Sequence, residues 1–195
     1  KLIYILTVLA LPLFNFAQQN VEFEKKNFPE KKDQLKEAIK SLREGDAIWD
    51  MKMENIYPVA IPHYLKAQAF NPNNAQLNFR IGAAFLVTHE KGKAYEYITK
   101  AYNLSPAVDE KIRFYTGWVY HLRSEWDKAI TEYQGYIATL GGKQKEELAK
   151  ATKRIEECKT GIDLAKNPIR VFIDNVGPEI NSSYSDYSPV ITADE

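Results

Sequence analysis

A spacing of 34 residues constrains this chain more than any other feature. Within AQLNFRIGAAFLVTHEKGKAYEYITKAYNLSPAV, residues 75–108, Gly82, Phe85, Ala94, Ala101 and Pro106 occupy positions 8, 11, 20, 27 and 32. Upstream, Ala60, Tyr64, Ala67 and Pro72 precede Ala94, Ile98, Ala101 and Pro106 by 34 residues each. Downstream, Gly117, Tyr120 and Ala129 follow Gly82, Phe85 and Ala94 by 35. A unit recurring at this period cannot bury its apolar face alone, so neighbouring copies must stack on it. Small residues are needed where helices cross closely, and a larger residue should meet each one: Gly82 and Ala94 within a pair, Ala101 against the next unit, with Phe85 and Ile98 opposite. Pro106 closes the second helix because it lacks the N–H and restricts the residue before it.

These positions resemble the tetratricopeptide repeat (TPR), a helix–turn–helix unit of the same period. The resemblance, together with the cap-like helix and the strand-like tail described below, gives the expectation of an all-α chain: a TPR superhelix of about three helix hairpins plus a C-terminal capping helix, followed by the first strands of a β-propeller. The expected boundaries are repeats at about 31–74, 75–108 and 109–142 (31–142 overall), a capping helix at 143–166, and the propeller start at 167–195.

The first 17 residues differ in kind. Lys1 precedes the apolar run LIYILTVLALPLF, then NFAQQ. This reads as a secretory signal peptide (1–17) cut after Ala17, the run being too short to span a membrane comfortably. The mature chain would run from 18 to 195. No cysteine stands directly after the cut, so a lipoprotein start is not supported. The only cysteine is Cys158, which leaves an exported chain without an internal disulfide.

Residues 18–30 are a polar lead-in without a period. Helical spacing begins with Leu35, Ala38, Ile39 and Leu42, then Ile48 and Trp49. Gly45 lies 15 before Ala60 where Gly82 lies 12 before Ala94, so the first repeat carries about three extra residues, placed in MKMENIY. Pro58 and Pro62 fall where its second helix should start. Helices are expected near 75–89, 92–104, 109–123 and 126–140, the last stopped by Gly141-Gly142. Tyr136 stands where the repeat normally has alanine, so packing should open there.

The next segment, KQKEELAKATKRIEECKTGIDLAK, is charged around an apolar seam. Leu148, Ile155 and Ile162 recur every seven, with Ala151, Cys158 and Ala165 between them. That puts Cys158 on a buried seam as a small filler. Glu146 and Lys150 form a favourable i,i+4 pair. Terminal repeats need a cap with a polar outer face, and this helix has that character; the other reading is the first helix of a fourth repeat. At Asn167-Pro168 the period changes: IRVFIDNVG alternates like a strand. The chain then stops in mid-motif, and a lone strand pair is barely stable, so it reads as the N-terminal piece of a longer protein.

The tail SDYSPVITADE, through Asp186, Ser188, Pro189 and Asp194, resembles the blade motif of TolB-like β-propellers. Signal peptide, repeats, long helix and this tail together resemble large Bacteroidetes envelope proteins, in which TPRs precede such a propeller and an OmpA-like domain. The PorE-type components of the type IX secretion (gliding-associated) machinery are the best-known members. The resemblance implies a non-enzymatic periplasmic, outer-membrane-associated scaffold whose partners are envelope proteins of a secretion or motility complex. Peptidoglycan would be reached only through domains beyond residue 195. The alternative is an exported hydrolase of the prolyl-oligopeptidase kind, which a G-x-S-x-G elbow beyond Glu195 would mark.

TPRs hold segments of partners in a groove lined by the first helix of each repeat. The groove positions are Gln76, Phe79, Ala83, Leu86 and Val87 in the second repeat, and Lys111, Phe114, Trp118, His121 and Leu122 in the third, with Phe114 and Trp118 as anchors. The competing expectation is that helix 143–166 folds back and fills this groove. The set lacks the Lys/Asn pattern of TPRs that clamp C-terminal carboxylates. Basic and acidic residues balance at 26 each and 45% of residues are hydrophobic, which suits one or two small soluble domains. That balance gives no reason to propose a nucleic-acid partner. His63, His89 and His121 lack tight metal spacing and a visible nucleophile nearby. Glu146-Glu147 and Glu156-Glu157 read as a solvated face, and Gly141-Gly142 lacks the Lys-Ser/Thr of a phosphate loop. No catalytic residue, metal or small-molecule cofactor is therefore expected.

Overall fold

The computed structural model describes residues 19–142 and 144–170, with positions 172, 174 and 177. Among them are seven α-helices and no strand: α1 (Lys32–Trp49), α2 (Tyr57–Phe70), α3 (Ala75–Leu86), α4 (Ala94–Leu104), α5 (Ile112–Leu122), α6 (Trp126–Ile137) and α7 (Lys145–Lys166). The described chain is all-α. The expected signal peptide lies outside the described residues, and the expected propeller start lies largely outside them. No described helix is long and apolar enough to cross a membrane.

The helices pack chiefly as three pairs, α1 on α2, α3 on α4 and α5 on α6, with α7 laid on α6. One contact recurs in every pair. A glycine of the first helix lies against a large side chain of the second: Gly45 on Tyr64, Gly82 on Ile98, Gly117 on Tyr133. All three large residues are fully buried. The backbones approach so closely there that a methyl group would collide. The main core runs from α2 to α5, and a second cluster joins α6 to α7 through Ala129, Tyr133, Ile155 and Cys158.

Local signals explain most boundaries. Asn74 caps α3 by accepting from Leu77 N at 2.9 Å, which satisfies an otherwise orphaned N–H. The extra residues of the first repeat form the loop after Trp49, where Lys52 takes a left-handed φ of 55°. Pro58 sits at the start of α2, but Pro62 lies within the helix. α6 stops at Ile137, ahead of Gly141-Gly142.

Three expectations need correcting. Tyr136 does not leave the packing open: it is buried, and its hydroxyl donates to Glu147 Oε2 of α7 at 3.3 Å. The seam of α7 is shorter than its seven-residue spacing suggested. Ala151, Ile155 and Cys158 are buried, whereas Leu148 and Ala165 are exposed and Ile162 is half-buried, although α7 still meets α6 towards both ends, through Glu147 on Tyr136 and Gly161 on Trp126. Lys150 sits 3.7 Å from Glu147 rather than with Glu146.

The lead-in is a strap. Val21 N donates to Asn73 O at 2.8 Å, and Asn71 and Asn74 both donate to Val21 O. Ala75 N donates to Asn20 Oδ1, and Phe23 and Phe28 pack on Phe70.

Candidate functional site

The first helices of the pairs touch one another through aromatic rings. Tyr57 stacks on Trp49 at 4.2 Å between centroids. Trp49 meets Phe79 edge-on at 6.2 Å, and Phe79 meets Tyr115 at 5.3 Å. Tyr115 stacks on Trp118 at 6.3 Å, and Phe114 meets Trp118 edge-on. This ribbon of rings runs from α1 through α3 to α5. Beside it, Asp46 of α1 pairs with Arg80 of α3 and accepts from Tyr64 of α2 at 3.0 Å, tying the first pair to the second.

At the α5 end the ribbon becomes the floor of a cavity of about 330 Å³. Phe114, Tyr115 and Trp118 form the floor, Glu54 of the first loop lies at one side, and α7 forms the other wall. The wall is a single stripe: Glu147, Lys150, Arg154 and Glu157 are spaced three, four and three residues apart, which aligns them on one helix face.

Ion pairs organise that wall. Lys111 Nζ lies 2.9 Å from Glu147 Oε1, and Arg154 Nη1 lies 2.9 Å from Glu157 Oε2. Burial opposes the charge on Lys111, but the hydrogen bond and charge of Glu147 outweigh it and raise its pKa. The same hydrogen bond from Lys111, with Lys111 and Lys150 as nearby cations, holds Glu147 below the usual carboxylate range. The Arg154 guanidinium covers the Trp118 ring at 5.2 Å, a favourable cation–π placement.

The expected groove residues divide. Phe79, Ala83 and Leu86 are buried in the core, so they do not form an open surface. Phe79 is flanked by the rings of Trp49 and Tyr115, because α3 is the central first helix with neighbours on both sides. Gln76 and Val87 are half-buried and Leu122 is exposed. Lys111, Phe114 and Trp118 line the cavity. Phe114 also contacts Tyr133 and Tyr136, so it is as much packing as lining. His121 is half-buried beside Tyr133. Burial first, then the Arg154 cation, lowers its pKa, and Glu157 offsets this in part.

Helix α7 therefore walls one end of the ribbon rather than filling its length. The sequence reading missed Tyr115, Glu54 and the α7 stripe. The three-four-three spacing of charges on α7 was the available signal. The other expected single residues stay apart: His63 pairs with Glu44 at 3.0 Å, and His89 is exposed. Among the described residues no group of three or more His, Cys, Asp or Glu is arranged to hold a metal ion.

Over the described residues, the fold and the cavity define an all-α arrangement of stacked helix pairs with an aromatic, charge-rimmed recess. No family model matches this chain, and a search of curated proteins finds no match.

Proposed function

We propose that this chain is a non-enzymatic TPR scaffold of the bacterial cell envelope. It is exported to the periplasm and associated with the outer membrane, as a component of type IX secretion or gliding machinery, and it leads into a β-propeller from about residue 167. Its role is to hold envelope partner proteins on the side where the rings of Trp49, Tyr115 and Trp118 stay half-buried. Any peptidoglycan contact belongs to parts beyond residue 195. The observation that carries this reading is the glycine-on-large-residue contact repeated in all three pairs. It is the packing a repeat needs if each unit is to present the same face to a partner. The ribbon of rings supports it, since half-buried aromatic residues are the usual anchors of protein interfaces.

A photocrosslinking amino acid replacing Trp118, in the native envelope, tests this. Crosslinks to defined envelope proteins are expected from position 118 and not from position 66 or 128, on the second helices. Equal crosslinking from all three positions rejects this face as the partner surface.

A further inference from the structure

The recess at the α5–α7 junction has a chemistry of its own. Its cations are Lys111, Lys150, Lys153 and Arg154, and the acids on the same side are Glu147 and Glu157. Glu147 serves Lys111 at 2.9 Å and Lys150 at 3.7 Å, while Glu157 serves Arg154 at 2.9 Å and Lys153 at 4.0 Å. Two carboxylates are thus shared among four cations. Lys150 and Lys153 are the outer members of each set, with side chains 62% and 79% exposed. Glu54, across the mouth, leaves the recess still net positive.

Geometry adds to charge. Lys150 and Arg154 stand one helical turn apart, a rise of about 6 Å at 1.5 Å per residue. Alternate residues of an extended strand are about 6.6–6.8 Å apart and project to one side, with the residue between them projecting to the other. An acid–apolar–acid strand laid along α7 therefore offers both carboxylates to the cationic wall, and its middle side chain is free to turn to the aromatic floor. The recess, at about 330 Å³, lies at the small end of ligand pockets, which suits one or two side chains and not a large cofactor.

We infer that this recess binds an extended peptide segment of a partner protein in which acidic residues alternate with aromatic or aliphatic ones. The inference rests on the scaffold reading above and specifies which chemistry that scaffold grips. The α7 wall supplies selectivity for carboxylates. Trp118, Tyr115 and Phe114 supply contact area without regard to charge.

Three fluorescein-labelled peptides test it against the full chain by fluorescence anisotropy. They carry a Glu-Phe-Glu-Phe-Glu core, the same core with Gln for Glu, and the same core with Lys for Glu, all flanked by Gly-Ser. The acidic peptide is expected to bind at least tenfold more tightly than either of the others. K150E/K153E should weaken it at least tenfold while the circular dichroism stays helical, since both side chains are largely in solvent. Raising salt from 50 to 500 mM should also weaken it. Equal binding of all three peptides that is lost in Trp118→Ala overturns the acidic selectivity and leaves the scaffold reading intact. Unchanged binding by K150E/K153E, or failure of the acidic peptide to bind, overturns the inference; the crosslinking from position 118 judges the scaffold reading separately.

Discussion

A Cβ placed on Gly82 would stand 2.6 Å from both Cγ1 and Cδ1 of Ile98, and 3.1 Å from its backbone nitrogen. The two helices of the central pair therefore touch at the limit that glycine permits. Gly82→Ala gains up to about 1 kcal/mol of helix propensity but overpacks a full core, at about 1–3 kcal/mol. Chemical denaturation should show a net loss of up to about 2 kcal/mol. Ile98→Val removes the Cδ1 that the new methyl meets, so the double variant should lose less than the sum of the singles. Strict additivity would mean that the two residues do not meet as described.

Cys158 is fully buried in the seam between α6 and α7, and burial pushes its thiol up to about 11 from an ordinary 9.0. The native thiol should react with a maleimide or disulfide reagent far more slowly than the denatured one, because the thiolate is both scarce and shielded. The raised value also sets a pH dependence. The unfolded thiol ionises near pH 9 while the folded one stays protonated, so this contribution to stability is complete below pH 9 and is lost between about pH 9 and 11. Fast native labelling at pH 8 would show that α7 does not pack as described.

His121 behaves in the opposite sense. Burial and the Arg154 cation lower its pKa from the ordinary 6.5. Below pH 6.5 the unfolded chain takes up a proton that the folded one resists, so stability falls as pH drops through that range. His121→Gln, which cannot titrate, should flatten the profile below pH 6.5. A profile unchanged by the substitution would assign the acid sensitivity to other groups.

Much of the helical order was legible because its causes are local. Gly82, Ala94 and Pro106 mark a close crossing, another crossing and a stop, and each depends on the shape of one residue against its neighbours in the unit. The candidate site was less legible. Phe79 and Leu86 have the spacing of groove residues, but α3 is enclosed on several sides, and no single-helix pattern reports how many neighbours a helix has. The strap was invisible for the same reason, since Val21 meets Asn71 across 50 residues. The charged stripe of α7 resembled an ordinary solvated face. Only the position of Trp118 beneath Arg154 turns it into the wall of a recess.

The strap has a mechanical consequence. Because Val21 is fastened to Asn71, Asn73 and Asn74, residues 22–70 form a closed loop lying off the direct route between the two ends of the described chain. Tension entering at residue 19 passes through those few hydrogen bonds into the junction ahead of α3 and bypasses α1 and α2. The first hairpin would carry no load until that fastening shears.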